Sequence, residues 1–387
     1  MRFLFDFENY FKMIGLASRE KVLKARIYYL AVLLFSVPIV STFHAICFFL
    51  DPLLFPGLRK VTLRTPIFMV GHARSGTTLT HRLLSGDEGR FSSFMLYELY
   101  FPSLLQKKLI RAAARADARL FGGTIQKLVQ RWEEWRYGSM RHMHKMGLTE
   151  FEEDDIVFYY SMASGFWITK MPYMGDLDFY RMNEWSDRKR NRYNAFYREC
   201  VRRQLYLNGP DKIHLSKNPT HSGRVASLIA AYPDAKFIVN LRNPNETIPS
   251  LLKLMRAGWK QLGWDEARQQ GCLDILANQA WDTYRHPLDA LEAHPEVPHA
   301  IVDYRELTAD PAATIERVYN DLELPISDDF RAKLAGEGKR EKKHSTRHSY
   351  SLEEFGLKAD SIRSELAPLF ERFQWDDRQT EQHQGDE

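Results

Sequence analysis

Cysteine is scarce in this chain: Cys47, Cys200 and Cys272 are the only three in 387 residues, far apart and without a CxxC pair. That excludes a zinc ribbon or redox dithiol and offers no disulfide framework, so the chain reads as working in a reducing compartment. Surplus charge is lacking as well. Lys and Arg number 54 against 50 Asp and Glu, a formal net charge of +4. A nucleic-acid binder concentrates far more positive charge in a stripe, so no nucleic-acid partner is expected. A polyanionic small ligand in a local basic pocket remains compatible. The sequence shows no repeat of 20–50 residues and no metal-ligand cluster.

What is present first is a long apolar run. Residues 27–50 contain no Asp, Glu, Lys or Arg, and about 20 apolar residues suffice to cross a bilayer. Pro38 would kink the run, and Ser36, Ser41, Thr42 and His44 add polarity. Basic residues flank both ends (Arg19, Lys21, Lys24 and Arg26 before; Arg59, Lys60 and Arg64 after), which leaves orientation open. A cleavable signal peptide fits poorly, because no small-residue cleavage pattern closes the run. A spanning helix, a surface-lying or re-entrant helix and a buried core helix all stay open. Membrane association with a cytoplasmic catalytic domain is the expectation, a cytoplasmic protein the fallback.

The rest of the chain alternates short apolar strands with helices. Ile67-Phe68-Met69-Val70, Ile213-His214-Leu215, Lys236 to Leu241 and His299 to Asp303 read as buried strands. Helices are expected at Thr77 to Ser85, near Ser222 to Tyr232, from Pro244, and from Pro311 to Leu322. The fold class is therefore α/β: a P-loop-like parallel sheet flanked by helices, with an N-terminal hydrophobic helical extension. Residues 1–60 form that extension, 61–375 the catalytic domain and 376–387 a polar tail. From Tyr97 to about Asn208 strand signals fade, and helices and loops rich in Trp, Tyr, Arg and Glu are expected to build the acceptor side.

Two segments carry the chemistry. Gly71-His72-Ala73-Arg74-Ser75-Gly76-Thr77-Thr78 follows a strand directly and has the glycine spacing of a Walker A loop, but Thr77 stands where that motif has lysine. Such a strand–loop–helix unit aims backbone N–H groups at an anion. Ser75, Thr77 and Thr78 add hydroxyls, and Arg74 adds a fork of donors suited to phosphate oxygens. Farther on, Arg242-Asn243-Pro244 ends a strand, and Ser250 follows eight residues after the arginine. Open α/β sheets bind ligands at that carboxyl edge.

Arg-Ser-Gly-Thr-Thr-Leu after a strand resembles the 5′-phosphosulfate loop of sulfotransferases that use 3′-phosphoadenosine 5′-phosphosulfate (PAPS), in particular the bacterial and tyrosylprotein branch. Arg242 and Ser250 resemble the family's 3′-phosphate site, and Leu215-Ser216-Lys217-Asn218-Pro219 its Lys-x-Pro segment. The resemblance implies that Arg74, Ser75, Gly76, Thr77, Thr78, Arg242 and Ser250 hold PAPS, that Lys217 approaches the transferring group, and that no metal is required. Lys343 and Tyr350, in a basic late segment, are its candidates for a loop closing over the 3′-phosphate. Glu98 is the first candidate for the base that deprotonates the acceptor. His144, ahead of the acidic run Phe151-Glu152-Glu153-Asp154-Asp155, is the second, although such a run is more often a solvated face.

The expected reaction moves a sulfuryl group from PAPS to a hydroxyl or amine, releasing adenosine 3′,5′-bisphosphate. Aromatic pairs such as Phe166-Trp167 beside a membrane anchor hint at a lipid or other apolar acceptor, with a homo-oligomer left open. The rivals are a P-loop kinase, which Thr77 disfavours, and a non-catalytic, membrane-anchored nucleotide-binding protein.

Overall fold

The computed structural model describes residues 3–138, 147–341 and 351–375. Five parallel strands form one sheet in the order β2-β3-β1-β4-β5: β1 Ile67–Gly71, β2 Phe91–Ser92, β3 Ile213–Lys217, β4 Lys236–Leu241 and β5 His299–Asp303. β1 lies at the centre, with Ile67 beside Leu215 on one side and Lys236 on the other. Four of the strands fall where the apolar runs place them. β2 is new, a two-residue edge strand paired with Ile213 and His214.

Helices cover both faces. In chain order they are α1 Phe7–Ser18, α2 Leu23–Ala31, α3 Val37–Leu54, α4 Thr77–Ser85, α5 Leu96–Tyr100, α6 Leu104–Leu120, α7 Thr124–Tyr137 and α8 Asp187–Asn208. They continue with α9 Val225–Ala231, α10 Pro244–Gln261, α11 Glu266–Glu292, α12 Tyr304–Ala309, α13 Pro311–Asp321, α14 Asp328–Glu341, α15 Ala359–Glu365 and α16 Ala367–Phe373. The two-residue period of the strands sorts their side chains into two layers. Ile67 and Met69 point into a core with Leu83, Leu84, Val302 and Ile315, while Phe68 and Val70 point into a larger one with Tyr197, Leu228 and Phe237.

The larger core also takes in Leu4, Met13, Leu33 and Phe48. The N-terminal helices therefore share a core with the sheet. Asp6 caps α1 and accepts from Tyr193 Oη at 2.6 Å, while Asn9 donates to the Met162 carbonyl. A wide, π-type turn at Val32–Ser36 joins α2 to α3 into one helix, Leu23–Leu54, just ahead of Pro38. Such a turn accommodates the N–H that proline lacks, and the helix continues. By length and composition this is the one helix among the described residues able to cross a membrane.

Candidate functional site

The glycine loop closes the carboxyl end of β1. Gly71 has φ +124°, and a Cβ there would stand 2.1 Å from the Asn240 carbonyl oxygen on β4, so only glycine fits. Gly76, at φ +87°, caps α4, and a Cβ there would meet the Tyr304 ring at 2.7 Å. Arg74 also adopts a left-handed conformation, φ 73°, which costs a non-glycine residue about 1 kcal/mol. Ser75 Oγ donates to the His72 carbonyl at 2.6 Å, so that hydroxyl shapes the loop itself. His72 is enclosed and stacks on Tyr284 at 5.3 Å, and burial lowers its pKa to about 4. It is therefore neutral at physiological pH. Thr77 is buried at the start of α4 and Thr78 is exposed.

The second segment meets the first. β1 and β4 are neighbours, with Gly71 beside Asn240. Arg74 Nε donates to Ser250 Oγ at 3.1 Å, across 176 positions of sequence. Arg242 reaches the Arg74 carbonyl at 3.5 Å, pairs with Glu246 and lies 4.3 Å over the Tyr304 ring. Tyr284 donates to the Arg242 carbonyl at 2.7 Å, pinning the end of β4. Arg74, Ser250 and Arg242 thus form one cationic cradle at the carboxyl edge of adjacent strands.

Lys217 ends β3 on the loop's other flank, 1% exposed, with Nζ 3.9 Å from Glu152 Oε2. Glu152 is 4% exposed and is held by its N–H to the Phe94 carbonyl. Neighbouring Phe151 lies edge-on to His81 of α4, the helix that follows the loop. Burial, then the charge of Lys217, lowers the His81 pKa to about 3, so His81 stays neutral. The expectation of a solvated acidic face fails here. Asp154 accepts from Tyr197 and lies 3.1 Å from His214 Nε2. Asp155 accepts from Ser164 Oγ and Gly165 N and pairs with Arg224 at 3.2 Å. Those partners, from Tyr197 to Arg224, come from α8, β3 and the turn after it, so sequence periodicity carries no sign of the burial.

Glu98 lies on α5. It is fully buried at the third position of α5, accepting from Met95 N, Tyr97 Oη, Arg111 and Asn208 at 3.2–3.3 Å. None of those partners belongs to the glycine loop, β3 or β4. The carboxylate beside Lys217 is Glu152, which the sequence offered only as part of the acidic run. His144, Lys343 and Tyr350 lie outside the described residues. Among the described residues no group of His, Cys, Asp and Glu is arranged to hold a metal ion.

Residues 66–328, which carry the parallel sheet, the glycine loop, the strand-end arginine and the buried Lys–Glu pair, match the family described as "Sulfotransferase family". The chain belongs to that family. It is 28% identical over 270 residues to omega-hydroxy-beta-dihydromenaquinone-9 sulfotransferase Stf3 of Mycobacterium bovis, and equally to that of Mycobacterium tuberculosis. The match takes in 67% of this chain and 63% of Stf3, just under two thirds of the relative's length. Sulfotransferase STF9 from Mycobacterium avium has the same fold, with a TM-score of 0.73 at 17% identity over 96% of this chain and 93% of STF9. STF1 from Mycobacterium tuberculosis H37Rv aligns with a TM-score of 0.61 at 19% identity, over 93% and 92% of the two chains.

Proposed function

We propose that this protein transfers a sulfuryl group from PAPS to the hydroxyl of a lipid acceptor, with Glu152 as the base. The observation that carries the reading is the convergence of Arg74, Ser250 and Arg242 on one cradle. The residues suit a doubly phosphorylated adenosine. Positive φ at Gly71, Arg74 and Gly76 turns backbone outward at the start of a nine-residue helix, the arrangement that receives an anion. Two guanidinium groups and a hydroxyl supply directional donors for a second phosphate.

PAPS supplies an already electrophilic sulfur, so the protein has to position the acceptor, remove its proton and stabilise charge on the departing phosphate. The acceptor oxygen bonds to sulfur, its proton passes to the Glu152 carboxylate, and the sulfur–bridging-oxygen bond breaks. Lys217 and Arg74 offset the charge left on the phosphate. Lys217 and Glu152 support this division by their burial together beside α4.

The lipid acceptor rests on the relative's name, a hydroxylated menaquinone derivative, and on half-buried tyrosines between the acceptor segment and the N-terminal helix. Tyr159 stacks on Trp167 at 4.3 Å and meets Tyr100, and Tyr160 lies against His44 of α3. Phe158, Trp167 and Tyr173 are plain core.

The test is a thermal shift with adenosine 3′,5′-bisphosphate, with and without magnesium, followed by transfer from radiolabelled PAPS to lipid extracts. A metal-independent shift and a labelled lipid are expected. A shift that needs magnesium and ATP would favour a kinase, and label found only in polysaccharide would exclude the lipid acceptor.

A further inference from the structure

The helix Leu23–Leu54 has the length and apolarity of a bilayer span, but its two faces have different surroundings. One is fixed to the protein. The fully buried Asp51 carboxylate accepts from Arg203 Nε at 2.6 Å, Ser103 Oγ at 2.8 Å and the N–H groups of Leu104 and Leu105. His44 on the same side bonds Gln106. Lipid could surround this helix only if the arginine-rich α8 entered the bilayer with it, at high cost. The other face is bare. Ile27, Phe35, Ile39, Phe43, Ile46 and Leu53 recur at helical spacing and are 50–68% exposed. From Ile27 to Leu53, at 1.5 Å per residue, this stripe runs for about 39 Å.

A second bare element begins at the same anchor. α6 starts on Asp51, and beyond Gly122-Gly123 the chain turns into α7, whose first turn is capped by the Asp117 carboxylate. Ile125, Leu128 and Trp135 fall on one stripe of α7 and are 56%, 57% and 79% exposed. A lone exposed leucine is ordinary, but two long stripes capped by a nearly naked tryptophan are not.

The charges beside these stripes identify what covers them. Lys108, Arg115, Arg119, Lys127 and Arg131 accompany the hairpin, and of its three acids Asp117 is spent on the cap and Glu133 on Leu148 N. Lys12, Arg19, Lys21, Lys24 and Arg26 precede or open the long stripe. Apolar side chains bordered by cations and indole match an anionic headgroup layer, which takes rings and hydrocarbon at its boundary and lysine and arginine at its phosphates. We propose that the outer stripe of α2–α3 and the α6–α7 hairpin form one docking surface that lies in the headgroup plane of an anionic lipid bilayer without crossing it.

Flotation of the full chain with vesicles tests this. Phosphatidylcholine vesicles containing about one-third phosphatidylglycerol should carry the protein upward, phosphatidylcholine alone should carry little, and added salt should weaken binding. Leu128→Asp with Trp135→Asp, and separately Ile39→Asp, should each lower binding at least about tenfold while leaving circular dichroism and melting unchanged. Alkaline carbonate should release the bound protein. Failure to float with either vesicle, indifference to all three substitutions, or retention after carbonate would each overturn the proposal. So would a stable dimer that stays unfloated, since the stripes would then cover one another. Binding of adenosine 3′,5′-bisphosphate by the same variants should be unchanged whichever way flotation falls, which keeps this surface separable from the sulfuryl-transfer reading.

Discussion

Replacing Glu152 by glutamine separates the two carboxylates that sequence and structure put forward as the base. The amide keeps the shape and an acceptor oxygen but cannot take a proton. General-base catalysis contributes about 10²–10⁴-fold, so Glu152→Gln should lower transfer from PAPS by that factor, about 3–5 kcal/mol of barrier. The change also strips Lys217 of its counter-charge. At 3.9 Å and an effective dielectric constant of about 20, the lost attraction is about 4 kcal/mol. In a chain of this size that corresponds to a melting point about 5 °C lower, so assays belong well below the transition. Adenosine 3′,5′-bisphosphate binding, which the proposed function places on Arg74, Ser250 and Arg242, should change by less than about threefold, since no counter-charge of theirs is touched. Glu98→Gln should instead weaken the fold through Arg111 and Asn208 while leaving turnover per folded molecule near normal. Glu152→Gln with turnover intact, or Glu98→Gln folded but inactive, would refute the assignment.

Other consequences follow from packing. Gly71→Ala should abolish soluble folded protein, because its Cβ would overlap the Asn240 carbonyl at 2.1 Å; a normal melt would contradict this. Arg203→Met should destabilise by about 3–5 kcal/mol in urea titration, because it leaves the Asp51 charge buried without its guanidinium. Stability should decline as pH falls from about 6.5 towards 4. Burial lowers the pKa of His44 from 6.5 to about 4, so in that window the unfolded chain binds a proton that the folded chain refuses. His44 thus favours folding fully above pH 6.5 and loses that contribution progressively below it. His44→Gln should flatten the slope of melting temperature against pH, and an unchanged slope would remove His44 as a cause.

The strands and the glycine loop were legible because their causes are local. Four apolar residues before a glycine make a buried strand, and Arg242 follows the same kind of run. β2 was not, since two residues on an edge carry no period, and its place depends on Ile213 and His214. The acidic run misled for a related reason. Read along the chain, Glu152 to Asp155 look solvated, and the burial of Glu152, Asp154 and Asp155 comes with Lys217, His214 and Arg224, 60 or more positions away. Glu98 shows a related limit: its position after the loop helix suits a base, but the donors it meets include Arg111 and Asn208, 13 and 110 positions away.

The union of Asp51 with Arg203 also bears on how the protein is handled. Its greasy first sixty residues invite removal as a route to better behaviour in solution, and the family match begins only at residue 66. Cutting there would uncover Phe68's side of the sheet, where Leu33 and Phe48 now sit, and leave the Arg203 guanidinium with Glu199 but without Asp51. Trimming would exchange one sticky surface for a larger one. Detergent or nanodiscs, with the polypeptide kept whole, are the sounder way to keep it dispersed.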